Sequence, residues 1–208
     1  MRVIGLTGGI ASGKSLVSRR LAERDAVVID ADKLGHESYR RGTETFGAVL
    51  RAFGQDIVGA DGEIDRRALG AKVFGDPETR KRLEAIVWPA IRRLGAERIE
   101  ALRAQGTPVV VLEAAVLIEA DWLPLVDEVW LVTVPPELAR ERIISRNGLS
   151  PEQADARIAA QLTNDERARH ADVIIENSGT LDELERRVKA EWGRVAGAAS
   201  GAGREERG

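Results

Sequence analysis

The chain has 208 residues, 43% of them hydrophobic and 31% charged, which is enough apolar material for one α/β domain or one domain with an inserted cap. Its 31 Lys and Arg against 34 Asp and Glu leave a net charge of −3, which argues against nucleic-acid binding by bulk electrostatics but leaves cations for a local phosphate pocket. With no cysteine, disulfides, thiolate metal sites and cysteine nucleophiles are excluded.

In chain order, residues 3–7 form a short apolar run that ends in glycines and predicts a first strand. The run is too short for a secretory leader. The longest apolar stretch, 109–118, is broken by Glu113 and cannot span a bilayer. The expectation is a cytoplasmic protein with neither a membrane nor a nucleic-acid partner. A helix is predicted over 14–23 and a second strand over 26–29. Residues 36–106 are too long for a simple crossover; they predict an inserted helical cap with a turn at Ala60-Asp61-Gly62. Further strands are predicted over 109–113, 128–134 and 172–176, and a helix over 136–146 before the Asn147-Gly148 turn.

The next helix has a strong start, with Ser150 as N-cap, Pro151 in first place and Gln153 in third. Thr180 and Glu183 open a last helix whose apolar face reads Leu181, Leu184, Val188, Trp192 and Val195. From Ala196 the chain is rich in Gly, Ala, Ser and charge without apolar period, and 196–208 reads as a tail without fixed structure. Strands alternating with helices predict a five-stranded parallel sheet covered by helices.

The segment Gly8-Gly9-Ile10-Ala11-Ser12-Gly13-Lys14-Ser15 fits G-x-x-x-x-G-K-S/T, with a strand before it and a helix after it. Glycines let such a loop curl its N–H groups inward onto phosphates, and the following helix adds its positive end. Lys14 would reach the β- and γ-phosphates of ATP, and the Ser15 hydroxyl would bind Mg²⁺. Ala11, inside the loop, is expected at negative φ.

Two carboxylates, Asp30 and Asp32, follow the second strand, at the end where parallel sheets bind ligands. Asp32 reads as the group that orients an attacking hydroxyl and takes its proton, or else as a cap of the next helix; Asp30 is the more structural of the two. Glu113 ends the third strand as the one charge in an apolar run. It reads either as an acid holding Mg²⁺ through water or as a strand-end ion pair. Glu119 is a second acid of that kind. Arg142 and Arg146 stand one helical turn apart, as do Arg157 and Gln161 on the next helix. Two helices joined by a short turn and carrying arginines read as a lid over about 146–168 that closes on phosphate.

Together these residues resemble the dephospho-CoA kinase family. The resemblance rests on 4–10, on Val28-Ile29-Asp30-Ala31-Asp32, on Phe53-Gly54, on 61–66, and on Val73-Phe74. It rests further on 113–119, on the run from Arg146 to Gln161, and on Asn177-Ser178-Gly179. It covers 1 to about 193. Ala11, Leu16, Trp88 and Ala115 depart from the commonest bacterial pattern; the last two resemble the kinase domain of bifunctional CoA synthases.

What the resemblance implies is a P-loop kinase fold with core 1–35 and 107–195, a CoA-binding insertion at 36–106 and a lid, as a monomer or trimer. The implied activity is ATP-dependent phosphorylation of the ribose 3′-hydroxyl of dephospho-CoA. Asp32, Lys14 and Arg142 would be catalytic. ATP would lie on Gly9, Ile10, Ala11, Ser12, Gly13, Lys14, Ser15 and Leu16, with Arg146, Arg157 and Asn177 around it. Dephospho-CoA would meet Asp32, His36, Arg66, Glu113 and Leu117, and Mg²⁺ would meet Ser15 and Glu113. The alternatives are another small-molecule kinase, such as a nucleoside monophosphate or shikimate kinase, a GTPase, or a non-catalytic ATP module. Asp32-Lys33-Leu34-Gly35 matches the GTPase D-x-x-G, but no N-K-x-D follows.

Overall fold

The computed structural model describes residues 1–73 and 75–205, with side chains as far as residue 197. Phe74 and 206–208 lie outside the described residues. The chain divides into two compact units, one of Met1–Ile29 with the residues from Ile99 onward, the other Asp30–Arg98. The predicted insertion at 36–106 thus begins earlier and ends sooner.

The first unit is built on five strands: β1 (Arg2–Thr7), β2 (Val27–Asp30), β3 (Val109–Glu113), β4 (Glu128–Thr133) and β5 (Val173–Glu176). Their order is β2-β3-β1-β4-β5, and β1 pairs parallel with both β3 and β4. From Val3 to Thr7 every residue of β1 is buried, as expected for a central strand covered on both faces. At the edge, β5 alternates, with Ile175 buried and Ile174 53% exposed. Each predicted strand exists, with ends moved by about a residue, the usual uncertainty of element boundaries.

Helix α1 (Lys14–Ala22) and the long α9 (Leu181–Glu205) cover the sheet. Val17 and Leu21 of α1 and Leu184, Val188 and Val195 of α9 join Ile4, Leu6, Val111, Trp130 and Val132 in one core. Each such fully buried side chain contributes about 1.5–3 kcal/mol. Leu181, predicted on the same apolar face, is 65% exposed because it sits in the first turn, beyond the core. The Thr180–Glu183 capping box is formed in both directions, with Thr180 N–H donating to Glu183 Oε2 at 2.7 Å and Glu183 N–H to Thr180 Oγ1 at 3.3 Å. The backbone from Ala196 to Glu205 is helical, against the expectation of a tail without structure. The four alanines there favour a helix and the three glycines oppose it by about 1 kcal/mol each, so its continuation draws on the nucleus α9 has already formed.

Three more helices follow β4: α6 (Pro136–Asn147), α7 (Pro151–Ala159) and the short α8 (Asn164–Ala168). Gly148 ends α6 at φ 62, and the Ser150–Gln153 capping box starts α7 as predicted.

The second unit carries α2 (Ala31–Ser38), α3 (Glu44–Phe53), α4 (Arg66–Val73) and most of α5 (Pro77–Ala104). Thr43 Oγ1 accepts from Phe46 N–H at 3.0 Å to start α3. The predicted turn is present: Gly62 has φ 80, and Val58 and Ile64 pair antiparallel across it. Val49, Phe53, Ile57, Ile64 and Leu69 are buried in this unit.

Candidate active site

The loop over 8–15 leaves β1 and runs straight into α1. Helix α1 begins on Gly13 at φ 90, with no side-chain cap and no acid in its first turn. Its leading N–H groups and its positive end are therefore left for an anion. A Cβ on Gly8 would stand 2.5 Å from the Val132 carbonyl oxygen, and one on Gly13 would stand 2.1 Å from Asn177 Nδ2. Only glycine permits either approach. Ala11 has φ 58, against the expected negative value. Closure of the loop imposes this left-handed turn, which costs a non-glycine residue about 1–2 kcal/mol. Ser12 is 1% exposed, and its Oγ has no hydrogen-bond partner.

Strand pairing supplies the acid. Leu6 is in register with Glu113, so the end of β3 lies beside the start of the loop. Lys14 Nζ donates to Glu113 Oε1 at 2.7 Å, and Ser15 Oγ–H donates to the same oxygen at 3.0 Å. Burial would raise the Glu113 carboxyl, but Lys14, with the hydroxyls of Ser18 and Ser15, outweighs it and holds the group below the usual carboxylate range.

The helix after β4 supplies a clamp. Arg142 donates from Nη1 to the Ala11 carbonyl at 3.3 Å and from Nη2 to the Asn177 carbonyl at 2.9 Å. Asn177 Nδ2–H donates to the Ser12 carbonyl at 2.8 Å. A cavity of about 580 Å³ opens here, lined by Ala11, Gly13, Leu16, Arg142, Arg146 and Asn177 among others. Arg146 is exposed and turns to the Asn147 side chain at 3.3 Å. Arg157 is exposed on α7 and makes no hydrogen bond or ion pair with the loop among the described residues.

On the other flank, Ile10 N–H donates to Gln161 Oε1 at 2.8 Å. Arg167, on α8, is 1% exposed and donates from Nη2 to Glu119 Oε1 at 2.9 Å and from Nη1 to the Leu162 carbonyl. The sequence reading missed both α8 and Arg167. The cue was present, since Thr163 and Glu166 form a full capping box.

Four predicted residues, Asp30, Asp32, His36 and Arg66, lie in the second unit. Asp30 is the N-cap of α2 as expected, its Oδ1 accepting from Asp32 N–H at 3.0 Å. The Asp32 side chain is exposed and caps nothing among the described residues. One turn on, His36 Nε2 accepts from Arg66 Nη1 at 2.8 Å. Tyr39 beside them has its hydroxyl raised by burial, against the pull of Arg66. Leu117, expected at the substrate, is instead fully buried: a Cβ on Gly5 would meet its Cδ2 at 2.7 Å. The turn after β3 folds it back under β1, where a leucine gains more than at a polar ligand.

Comparison with known proteins decides the family. The dephospho-CoA kinase family profile matches residues 2–183. The chain belongs to the dephospho-CoA kinase family. It is 51% identical over 192 residues to the dephospho-CoA kinase of Geobacter sulfurreducens, covering 92% of this chain and 98% of that one. It is 50% identical to the enzyme of Symbiobacterium thermophilum, with coverage of 97% and 84%. A crystal structure of a Thermus thermophilus protein superposes with a TM-score of 0.76 at 38% identity, covering 93% of this chain and 97% of that one. The five-stranded parallel sheet and P-loop of this dephospho-CoA kinase family member match the expected fold class. No helix among the described residues is long and apolar enough to cross a membrane.

Proposed function

We propose that the chain transfers the terminal phosphoryl group of ATP to the ribose 3′-hydroxyl of dephospho-CoA, giving CoA and ADP, the last step of CoA synthesis. The observation that carries this reading is the uncapped start of α1, with Lys14 and Glu113 meeting at its mouth, in a chain of this family. The loop N–H groups would take the phosphates, and the orphaned Ser12 Oγ is a donor that a phosphate oxygen satisfies. Lys14 would leave Glu113 for the β- and γ-phosphates. Arg142, already against the Ala11 carbonyl, would meet charge developing on the transferred group. Asn177, Arg142 and Arg146 would border the nucleotide in the cavity they line.

Mg²⁺ fits this site. Ser15 Oγ and Glu113 Oε1 are hard oxygen donors 3.0 Å apart. Among the described residues no cluster of three His, Cys, Asp or Glu could hold a metal alone, as suits an ion carried largely by phosphate oxygens. Ser15 and Glu113 would hold it, and bound there it supplies neutralisation of phosphate charge.

Asp32 would orient the acceptor hydroxyl and receive its proton as the new O–P bond forms and the bond to the ADP oxygen breaks. Arg66 on α4, held against His36 on α2, offers a cation for the acceptor's phosphates. The test is ADP release measured with dephospho-CoA, adenosine, AMP and shikimate as acceptors. Turnover confined to dephospho-CoA is the expected result; selective turnover of another acceptor would remove the substrate assignment and leave phosphoryl transfer standing.

A further inference from the structure

The buried Arg167–Glu119 pair is an odd feature for a small α/β core. Arg167 is 2% and Glu119 21% exposed by side chain, yet the pair is not saturated: Arg167 Nε and Glu119 Oε2 are buried and have no partner. A half-satisfied buried ion pair contributes little stability, and an apolar pair of the same volume would do as well or better. Its position accounts for it better than stability does. The guanidinium bonds two segments and lies beside a third. One is the turn after β3, through Glu119. The second is the link between α7 and α8, through the Leu162 carbonyl. The third is the phosphate loop, where a Cβ built on Gly9 would lie 3.6 Å from Arg167 Nη1, an ordinary van der Waals distance. The neighbouring Gln161 touches the loop directly, its Oε1 accepting the N–H of Ile10 at 2.8 Å. A cavity of about 390 Å³ bounded by Gly9, Ile10, Ser12, Gln161 and Arg167 lies against this junction.

We propose that Arg167 is a positioning residue for nucleotide binding: anchored on Glu119, it holds the 161–167 segment so that Gln161 keeps the tip of the phosphate loop open and in register. This rests on the phosphate-loop reading above. Arg167 acts through Gln161 and the Gly9–Ile10 backbone. The loop tip needs such an outside brace because Ala11 holds a left-handed turn that its own side chain disfavours.

The test uses three full-length variants: Gln161→Ala, Arg167→Met, and Arg167→Met with Glu119→Gln. Each is read by thermal melting and by separate KM values for ATP and dephospho-CoA. Arg167→Met strands the Glu119 charge and melts lower. The double variant strands no charge and recovers most of that loss. Both raise the KM for ATP by up to about 10-fold, the scale of losing the neutral Gln161–Ile10 hydrogen bond, and leave the KM for dephospho-CoA within about twofold. Gln161→Ala does the same with a parental melting curve. Should the double variant regain the parental KM for ATP along with its stability, Arg167 is only a structural ion pair and the proposal fails. An equal rise in both KM values would also overturn it. A parental enzyme that does not turn over dephospho-CoA at all would instead refute the assigned activity.

Discussion

A side chain on Gly13 would begin 2.1 Å from Asn177 Nδ2, the amide that donates to the Ser12 carbonyl at 2.8 Å. The loop and the end of β5 have been brought together until only hydrogen fits between them. Gly13 also sits at φ 90. Gly13→Ala is therefore blocked twice, by the contact and by the backbone. We expect it to lower ATP affinity about 100-fold or more, read by titration calorimetry, from a combined cost of roughly 3 kcal/mol. Adding Asn177→Ala removes the clash but not the φ penalty and restores only part. Parental ATP affinity in Gly13→Ala would mean that the nucleotide binds elsewhere.

Asp32 and Lys14 separate chemistry from binding. Asp32→Asn should keep ATP affinity while kcat falls by roughly 10²–10⁴, the usual loss with a general base. Lys14→Ala should weaken ATP and nearly abolish turnover. Coupled ADP release and ATP titration on the same preparations check both. An Asp32→Asn enzyme at the parental kcat would show that another group manages the proton.

Ala11 gives a prediction of opposite sign. Its φ of 58 is a conformation glycine takes without strain. Ala11→Gly should gain about 0.5–1 kcal/mol, the strain relieved less the extra freedom of the unfolded chain. Differential scanning calorimetry should show a rise of about 1–4 °C. A clear fall would mean that the alanine methyl contributes packing that outweighs the strain.

Glu128 provides the pH dependence. It is 8% exposed, accepts the Trp130 indole N–H at 2.6 Å and pairs with Arg194. Burial raises its carboxyl, but Arg194 and Trp130 prevail and hold it below its ordinary 4.5. The unfolded chain thus binds the proton more readily than the folded one. The resulting stability is fully present above the ordinary carboxylate range and fades as pH falls through the depressed value. Glu128→Gln should melt about 2–4 °C lower at neutral pH, for roughly 1 kcal/mol. The gap should close as pH is lowered past that range. A gap independent of pH would assign the loss to packing.

How much could be read beforehand differs from residue to residue. The strand–loop–helix around Lys14, the capping boxes at Ser150 and Thr180 and the buried run of β3 were all legible in the sequence. Each is decided by neighbours within a few positions, through glycine φ, side-chain caps and the period of apolar residues. The capping box at Thr163 was equally local and went unread. The sequence alone thus determined the phosphate loop, the five strands and the list of candidate acids and arginines.

The tertiary structure decided which of those candidates meet. Glu113 reaches Lys14 only because β3 pairs with β1 in register, joining residues 99 positions apart. Arg142 reaches the loop, while Arg157, on the next helix, remains in solvent. Leu117 went under the sheet, Arg167 was buried and Ala11 was forced to positive φ. None of this has a local cause. Register, burial and loop closure are settled by the packing of the whole unit, whose collective energy overrides the preference of about 1–2 kcal/mol that any single residue brings.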